Sequence, residues 1–155
     1  MKIFRAWDKE KRKFYEEVHR GYEGVIKEIL LASNGDVILH ELEEGKERLV
    51  VATTRFEIDR WTGKADMNGK GIYENDIVVW GHHCKWCREP LKITVVKMSP
   101  DIEFHELRTG GIFIYGCFEH PLRNTTHLEV VGNIRENPEI LEDPEGFLRK
   151  WRYKV

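Results

Sequence analysis

The stretch from Trp61 to Trp80, WTGKADMNGKGIYENDIVVW, constrains this chain more than any other part of it. Asp66-Met67-Asn68-Gly69 is a strong turn signal, because Asn and Gly adopt positive φ at low steric cost. The run from Ile72 to Trp80 is rich in strand formers, and its end, Ile77-Val78-Val79-Trp80, is apolar enough to be buried. Read in order, the stretch predicts a loop, a tight turn and a strand. Asp76, just ahead of the apolar run, is expected to accept hydrogen bonds from turn amides rather than to act as an acid or base.

The same grammar recurs along the chain. Lys2 to Trp7 alternates as a short strand, the charged run from Asp8 to Arg12 makes a solvated turn, and Lys13-Phe14-Tyr15 starts a return strand. Gly21 and Gly24 stop any helix before Val25. Beyond them Ile26, Ile29 and Leu30 could line a helix, but the Asn34-Gly35 turn and the strand-like run from Asp36 to His40 favour a hairpin. Glu43-Glu44-Gly45-Lys46 is a further turn, followed by strand-like runs over 48–54 and 56–59. Leu91–Met98, Asp101–Leu107, Ile112–Tyr115 and Leu128–Val131 read as later strands. Asp143 as cap, Pro144 at the first helical position and Glu145 predict a terminal helix. Its stripe of Phe147, Leu148 and Trp151 is expected to dock on the protein's own core. Closely spaced strands with regular turns predict a mostly β fold: a small twisted sheet or SH3-like barrel, an N-terminal hairpin region and a C-terminal helix.

At 155 residues the chain is expected to be a single domain, 1–155, with a β region over 1–60, the signature strand and barrel over 61–137, and a helical tail over 138–155. The 41% hydrophobic content allows a real core, and the net charge of −2 argues against a strongly basic nucleic-acid binder. No apolar run approaches the roughly eighteen residues of a membrane span, and the first residues do not read as a signal peptide. Three cysteines, an odd number, fit a reducing compartment. The expected location is the cytoplasm.

The sharpest chemical pattern is metal-like. Cys84 and Cys87, with two residues between them, and Cys117 and His120, spaced likewise, supply four ligands of the type zinc prefers, with His82, His83 and His127 to spare. Strand order argues against their meeting. Three alternating strands between the pairs place them at opposite ends of a sheet, where even a short strand covers about 15 Å against a zinc–ligand bond of about 2.3 Å. The competing account is a pair of reduced thiols near a loop with Cys117 as a small buried residue. A thioredoxin-like redox pair lacks its βαβ setting. The Asp66-x-Asn68-Gly69 run fails as a calcium loop, because Ile77 stands where the bidentate Glu belongs.

A family resemblance rests on three stretches in order: Phe4-Arg5-Ala6-Trp7-Asp8; Thr62-Gly63, Asp66, Asn68-Gly69, Ile72-Tyr73-Glu74 and Asp76-Ile77-Val78; and Val130-Val131-Gly132-Asn133-Ile134 with Glu136-Asn137-Pro138-Glu139. Together they resemble the signature of YopX-type proteins of phages and prophages. This chain departs from it at Asn75, where the family usually has Gly. Asn is the next-best residue for a left-handed backbone, so the turn is expected to survive. The resemblance implies a small β-rich domain of phage origin and brings no established activity.

Three functions follow as expectations. The first is a non-enzymatic accessory protein that binds a host or phage protein, or itself, through exposed strand edges, with no membrane partner and no cofactor beyond the zinc pattern. The alternative is a nucleic-acid-associated protein, zinc-stabilised, using the basic and aromatic residues mixed at 5–15 and 149–154; both stretches read more simply as amphipathic edges with solvated charges. The third is an enzyme, which needs a deep pocket lined by some of Glu74, Asp76, His82 and His83.

Overall fold

The computed structural model describes residues 2–81, 91–110, 113–116 and 127–152. The chain forms two compact units, Arg5–Asp59 and Met1–Phe4 with Arg60–Val155. Strands predominate, with a curled half-barrel sheet and a short C-terminal helix, as the sequence predicts.

In the unit of Arg5–Asp59, strand β1 (Phe4–Asp8) pairs antiparallel with β2 (Lys13–Phe14), placing Trp7 opposite Phe14 with their rings edge to face at 5.0 Å. A three-stranded antiparallel meander follows: β3 (Val25–Leu31), β4 (Val37–Glu43) and β5 (Lys46–Val51), in that spatial order. The Val25 stretch is therefore a strand. Asn34 Oδ1 accepts the Asp36 amide at 3.0 Å, closing the first hairpin, and Glu44 and Gly45 both take positive φ (49° and 77°) to close the second. In β4 the period is two: Val37, Leu39 and Glu41 face inward, while Ile38, His40 and Leu42 face out. Gly24 lies so close to β4 that an added Cβ would stand 2.6 Å from the Leu42 carbonyl, so its value is close approach as much as helix breaking. The inward residues Ile26, Ile29, Leu39, Ala52 and Phe56 are all under a tenth exposed, and each large one contributes about 1.5–3 kcal/mol.

Strand β6 (Phe56–Ala65) carries the chain into the larger unit. The expected loop at Trp61 to Ala65 is instead the end of this strand, and that reading is corrected. Gly63, at φ 83°, absorbs a register irregularity between Trp61 and Ala65, which lets pairing with β7 (Gly71–Tyr73) continue past it. Nor is Ile72 to Trp80 one strand: Glu74 and Asn75 turn the chain between β7 and β8 (Asp76–Gly81).

β8 is the centre of the larger unit. All six of its residues are buried. It lies between β9 (Lys92–Met98) and β12 (His127–Asn133), and β10 (Ile102–Glu106) and β11 (Ile114–Gly116) extend the sheet beyond β9. Alternate residues serve two cores. Val78 and Trp80 pack with Ile72, Val96, Phe104 and Leu128 on one face; Ile77 and Val79 pack with Ile93, Ile140 and Leu148 on the other. The second face is closed by α1 (Pro138–Glu142) and α2 (Pro144–Arg152), where Phe147 and Trp151 flank Leu148 as the helical stripe predicts. Asp143 Oδ1 accepts the Gly146 amide at 2.9 Å, the expected cap. We expect Asp143→Ala to cost about 1 kcal/mol, read as a small drop in melting temperature.

Candidate functional site

The motif residues are engaged in holding backbone. Asp66 Oδ1 accepts the amides of Asn68 and Lys70, both at 2.9 Å, and its Oδ2 accepts the Val130 amide at 2.9 Å. The Met67 amide bonds the Leu128 carbonyl at 2.9 Å, so one carboxylate and one amide pin the turn to β12. Thr62 Oγ1 donates to the Ile72 carbonyl at 2.7 Å. Asn75 does take the left-handed conformation, at φ 67°. Its amide donates to the Val96 carbonyl, its own carbonyl accepts from Ile134, and its Oδ1 accepts Lys97 Nζ at 2.7 Å. That last bond is one glycine cannot make. Asn133, in the third stretch, accepts the amides of Arg135 and Glu136 at 3.0 and 2.8 Å.

The first stretch anchors the other unit through charge. Asp8 is fully buried, as is Asp59, which Arg5 Nε meets at 3.1 Å. Arg55 grips Asp8 with two bonds, Nε to Oδ1 at 3.1 Å and Nη2 to Oδ2 at 2.8 Å, and Nη2 also donates to the Arg20 carbonyl. His19 Nε2 lies 2.7 Å from Asp8 Oδ2, and the amides of Glu10 and Lys11 donate to Oδ1. Burial pushes the Asp8 carboxyl up, but Arg55, His19 and the Lys11 amide outweigh it and hold the group well below the usual carboxylate range. The charged run at Asp8 to Arg12 was expected to be solvated throughout; Asp8 is the exception, drawn in by a partner 47 positions away. No local signal marks that pairing.

Among the described residues, those proposed for chemistry are held in structural bonds. Asp76 accepts the Tyr73 amide at 2.8 Å, the structural role expected of it, and Glu74 pairs with Arg60 at 2.7 Å. His82 and His83 lie outside the described residues, as do Cys84, Cys87, Cys117 and His120. The strands leading to the two candidate zinc pairs are described: β8 ends at Gly81 beside His127, and β11 ends at Gly116 beside Glu103, at the opposite end of the sheet. Among the described residues, no group of three or more His, Cys, Asp or Glu is placed to hold a metal ion. His127 is buried, 3.3 Å from Glu129 and edge to face with Trp151 at 4.9 Å.

What sequence reading missed is the outer face of the meander. Leu30, Ile38 and Val51 form one cross-strand row, and Glu28, His40 and Leu49 the next. Leu49 and Val51 are 65% and 59% exposed, and Leu30 and Leu42 about 40%. His40 bridges the face, with Nδ1 3.2 Å from Glu28 and Nε2 3.4 Å from Glu47, while Lys27 Nζ also meets Glu47 at 3.2 Å. Glu47 is held below the usual carboxylate range chiefly by its bond to Lys27. Alternation gave a signal here: with Leu39 inward, Ile38 and Leu42 had to point out.

The class these features define is a β-rich scaffold of two units, whose motif residues make turns and buried ion pairs. The chain belongs to the YopX family: the model of the YopX protein family matches residues 3–142. The crystal structure of protein yopX from Bacillus subtilis is similar, with TM-score 0.55 and 24% identity over 88% of this chain and 94% of that one, a likeness of fold. Protein EF1440 from Enterococcus faecalis also matches, at TM-score 0.45 and 21% identity over 90% of this chain and 96% of its own. No curated protein matches the chain. No helix among the described residues is long and apolar enough to cross a membrane.

Proposed function

We propose that this is a non-enzymatic accessory protein of phage or prophage origin, acting in the host cytoplasm as a protein-binding or self-assembling module. Its contact surface is the outer face of β3, β4 and β5. The observation that supports it is the gathering of Leu30, Leu42, Leu49 and Val51, all exposed, on one side of one small sheet. Single exposed leucines are ordinary, whereas several exposed apolar side chains on one face of a small sheet, here around the Glu28–His40–Glu47 bridge, mark an interaction site.

The test is a double substitution, Leu49→Lys with Val51→Lys. Both side chains are exposed, so stability should change by no more than about 0.5 kcal/mol each. Tagged wild-type protein, captured from a nuclease-treated host lysate or sedimented alone, should bring down a stoichiometric protein or run as an oligomer, and the variant should do neither. Identical behaviour of the two proteins contradicts the proposal.

A nucleic-acid role ranks second. It draws on Lys9, Lys11, Arg12 and Lys13 at the β1–β2 turn, but Lys9 and Lys13 already face Glu57 and Glu16. Capture that disappears on nuclease treatment would promote it.

A further inference from the structure

We propose that the occupant of this surface is an extended, cationic segment that adds as a strand to the free edge of β5, a claim that rests on the function proposed above. Three observations carry it. Among the described residues β5 is the last strand on its side of the sheet, so one row of its backbone amides and carbonyls awaits a partner strand. Its outward side chains are ordered along the strand: Glu47, then Leu49, then Val51, with Leu49 opposite His40 and Val51 opposite Ile38. The surroundings are acidic, since Arg20 to Val51 carries seven carboxylates against four cations. Glu43, Glu44 and Glu47 are all exposed at the end of the hairpin where β5 begins, and outnumber Lys46 there even though Arg20 and Lys27 reach Glu43 and Glu47.

The gradient specifies the partner. Backbone pairing supplies affinity without regard to sequence, and side chains at alternate positions supply the choice. An antiparallel strand laid along β5 meets Val51 and Leu49 first and the glutamates last. It therefore needs apolar residues at alternate positions in its first half and Lys or Arg in its second. A strand with carboxylates in that second half sets a like charge across from Glu47, at the hairpin end that also carries Glu43 and Glu44, which disfavours it.

The experiment uses the full chain and two labelled synthetic peptides of about ten residues. One alternates valine with threonine and then lysine with threonine; the other carries glutamate in place of lysine. The lysine peptide is expected to bind at least about tenfold more tightly by fluorescence anisotropy, and to slow amide hydrogen exchange across Lys46–Val51. Glu43→Lys with Glu44→Lys, both exposed at the hairpin end, should reverse the preference. Equal binding of the two peptides, or no binding at millimolar concentration, overturns the inference. If neither peptide binds yet the chain sediments as an oligomer that Leu49→Lys with Val51→Lys disperses, the occupant is a second copy: the surface stands and the cationic segment falls. If neither binds and the double variant changes nothing, both fall.

Discussion

Asp8→Ala is expected to destabilise the protein by about 3–5 kcal/mol, on the order of 10 °C in melting temperature. The side chain is completely buried, and its removal leaves Arg55, itself only 4% exposed, without its two-bond partner and with only the exposed Glu10 carboxylate, 3.5 Å from Nε, as counter-charge. The amides of Glu10 and Lys11 lose their acceptor at the same time. Substituting both partners with apolar residues, Asp8→Leu with Arg55→Met, should cost less than Asp8→Ala, because no charge is then stranded. If the single substitution is the milder of the two, the ion pair is not what holds the segment.

The pH dependence has a definite sign. The folded-state value of Asp8 is depressed, so its contribution is complete above the unfolded value of about 3.9 and is lost as pH falls through the lower folded one. The stability gap between wild type and Asp8→Ala should be constant from pH 7 to about pH 5 and narrow progressively below about pH 4 in urea unfolding. A gap that is constant down to pH 2 would show that the carboxylate's charge is not involved.

Asp66→Ala is the second large effect, about 2–4 kcal/mol. It removes the acceptor of three backbone amides, those of Asn68, Lys70 and Val130; leaving the buried Val130 donor without its bond costs about 1–3 kcal/mol, and the part-buried donors of Asn68 and Lys70 add what water does not recover. Asp66→Asn keeps one carbonyl oxygen and should recover part of the loss. Those three amides should exchange faster with solvent in the alanine variant, and the melting temperature should fall with them. Unchanged exchange at Val130 would mean that the turn is held to β12 by the Met67 bond alone.

Much of the fold was legible because it is written locally. Asn34-Gly35 and Glu44-Gly45 close their hairpins with the positive φ that Gly35 and Gly45 adopt freely, a property of single residues, and the Asp143-Pro144-Glu145 start of α2 is likewise a matter of neighbours. The burial of Ile77 to Trp80 followed from composition alone. Where reading failed, a long-range partner decided. Trp61 to Ala65 looked like a loop because Gly63 breaks the strand pattern, yet the Trp61 amide bonds the Ile3 carbonyl at 2.9 Å and β7 pairs along the rest. Asp8 looked solvated because its neighbours are. Glu41 is 1% exposed for a similar reason: Arg48 Nε stands 3.0 Å from it and the Tyr22 amide bonds it, and neither partner is adjacent in sequence. The outer face of the meander was missed for a different cause. A run such as Arg48 to Thr54 announces a strand and says nothing about which face, if either, stays open.

The central claim is that the signature residues build the scaffold while association belongs to the outer face of β3, β4 and β5. The most direct measurement is partner capture or self-association by Asp66→Ala at a temperature well below its melting point, with its unfolding free energy determined alongside. A lower unfolding free energy with association equal to wild type is the predicted result. Wild-type stability with association lost would contradict the claim and place the signature itself in the contact surface.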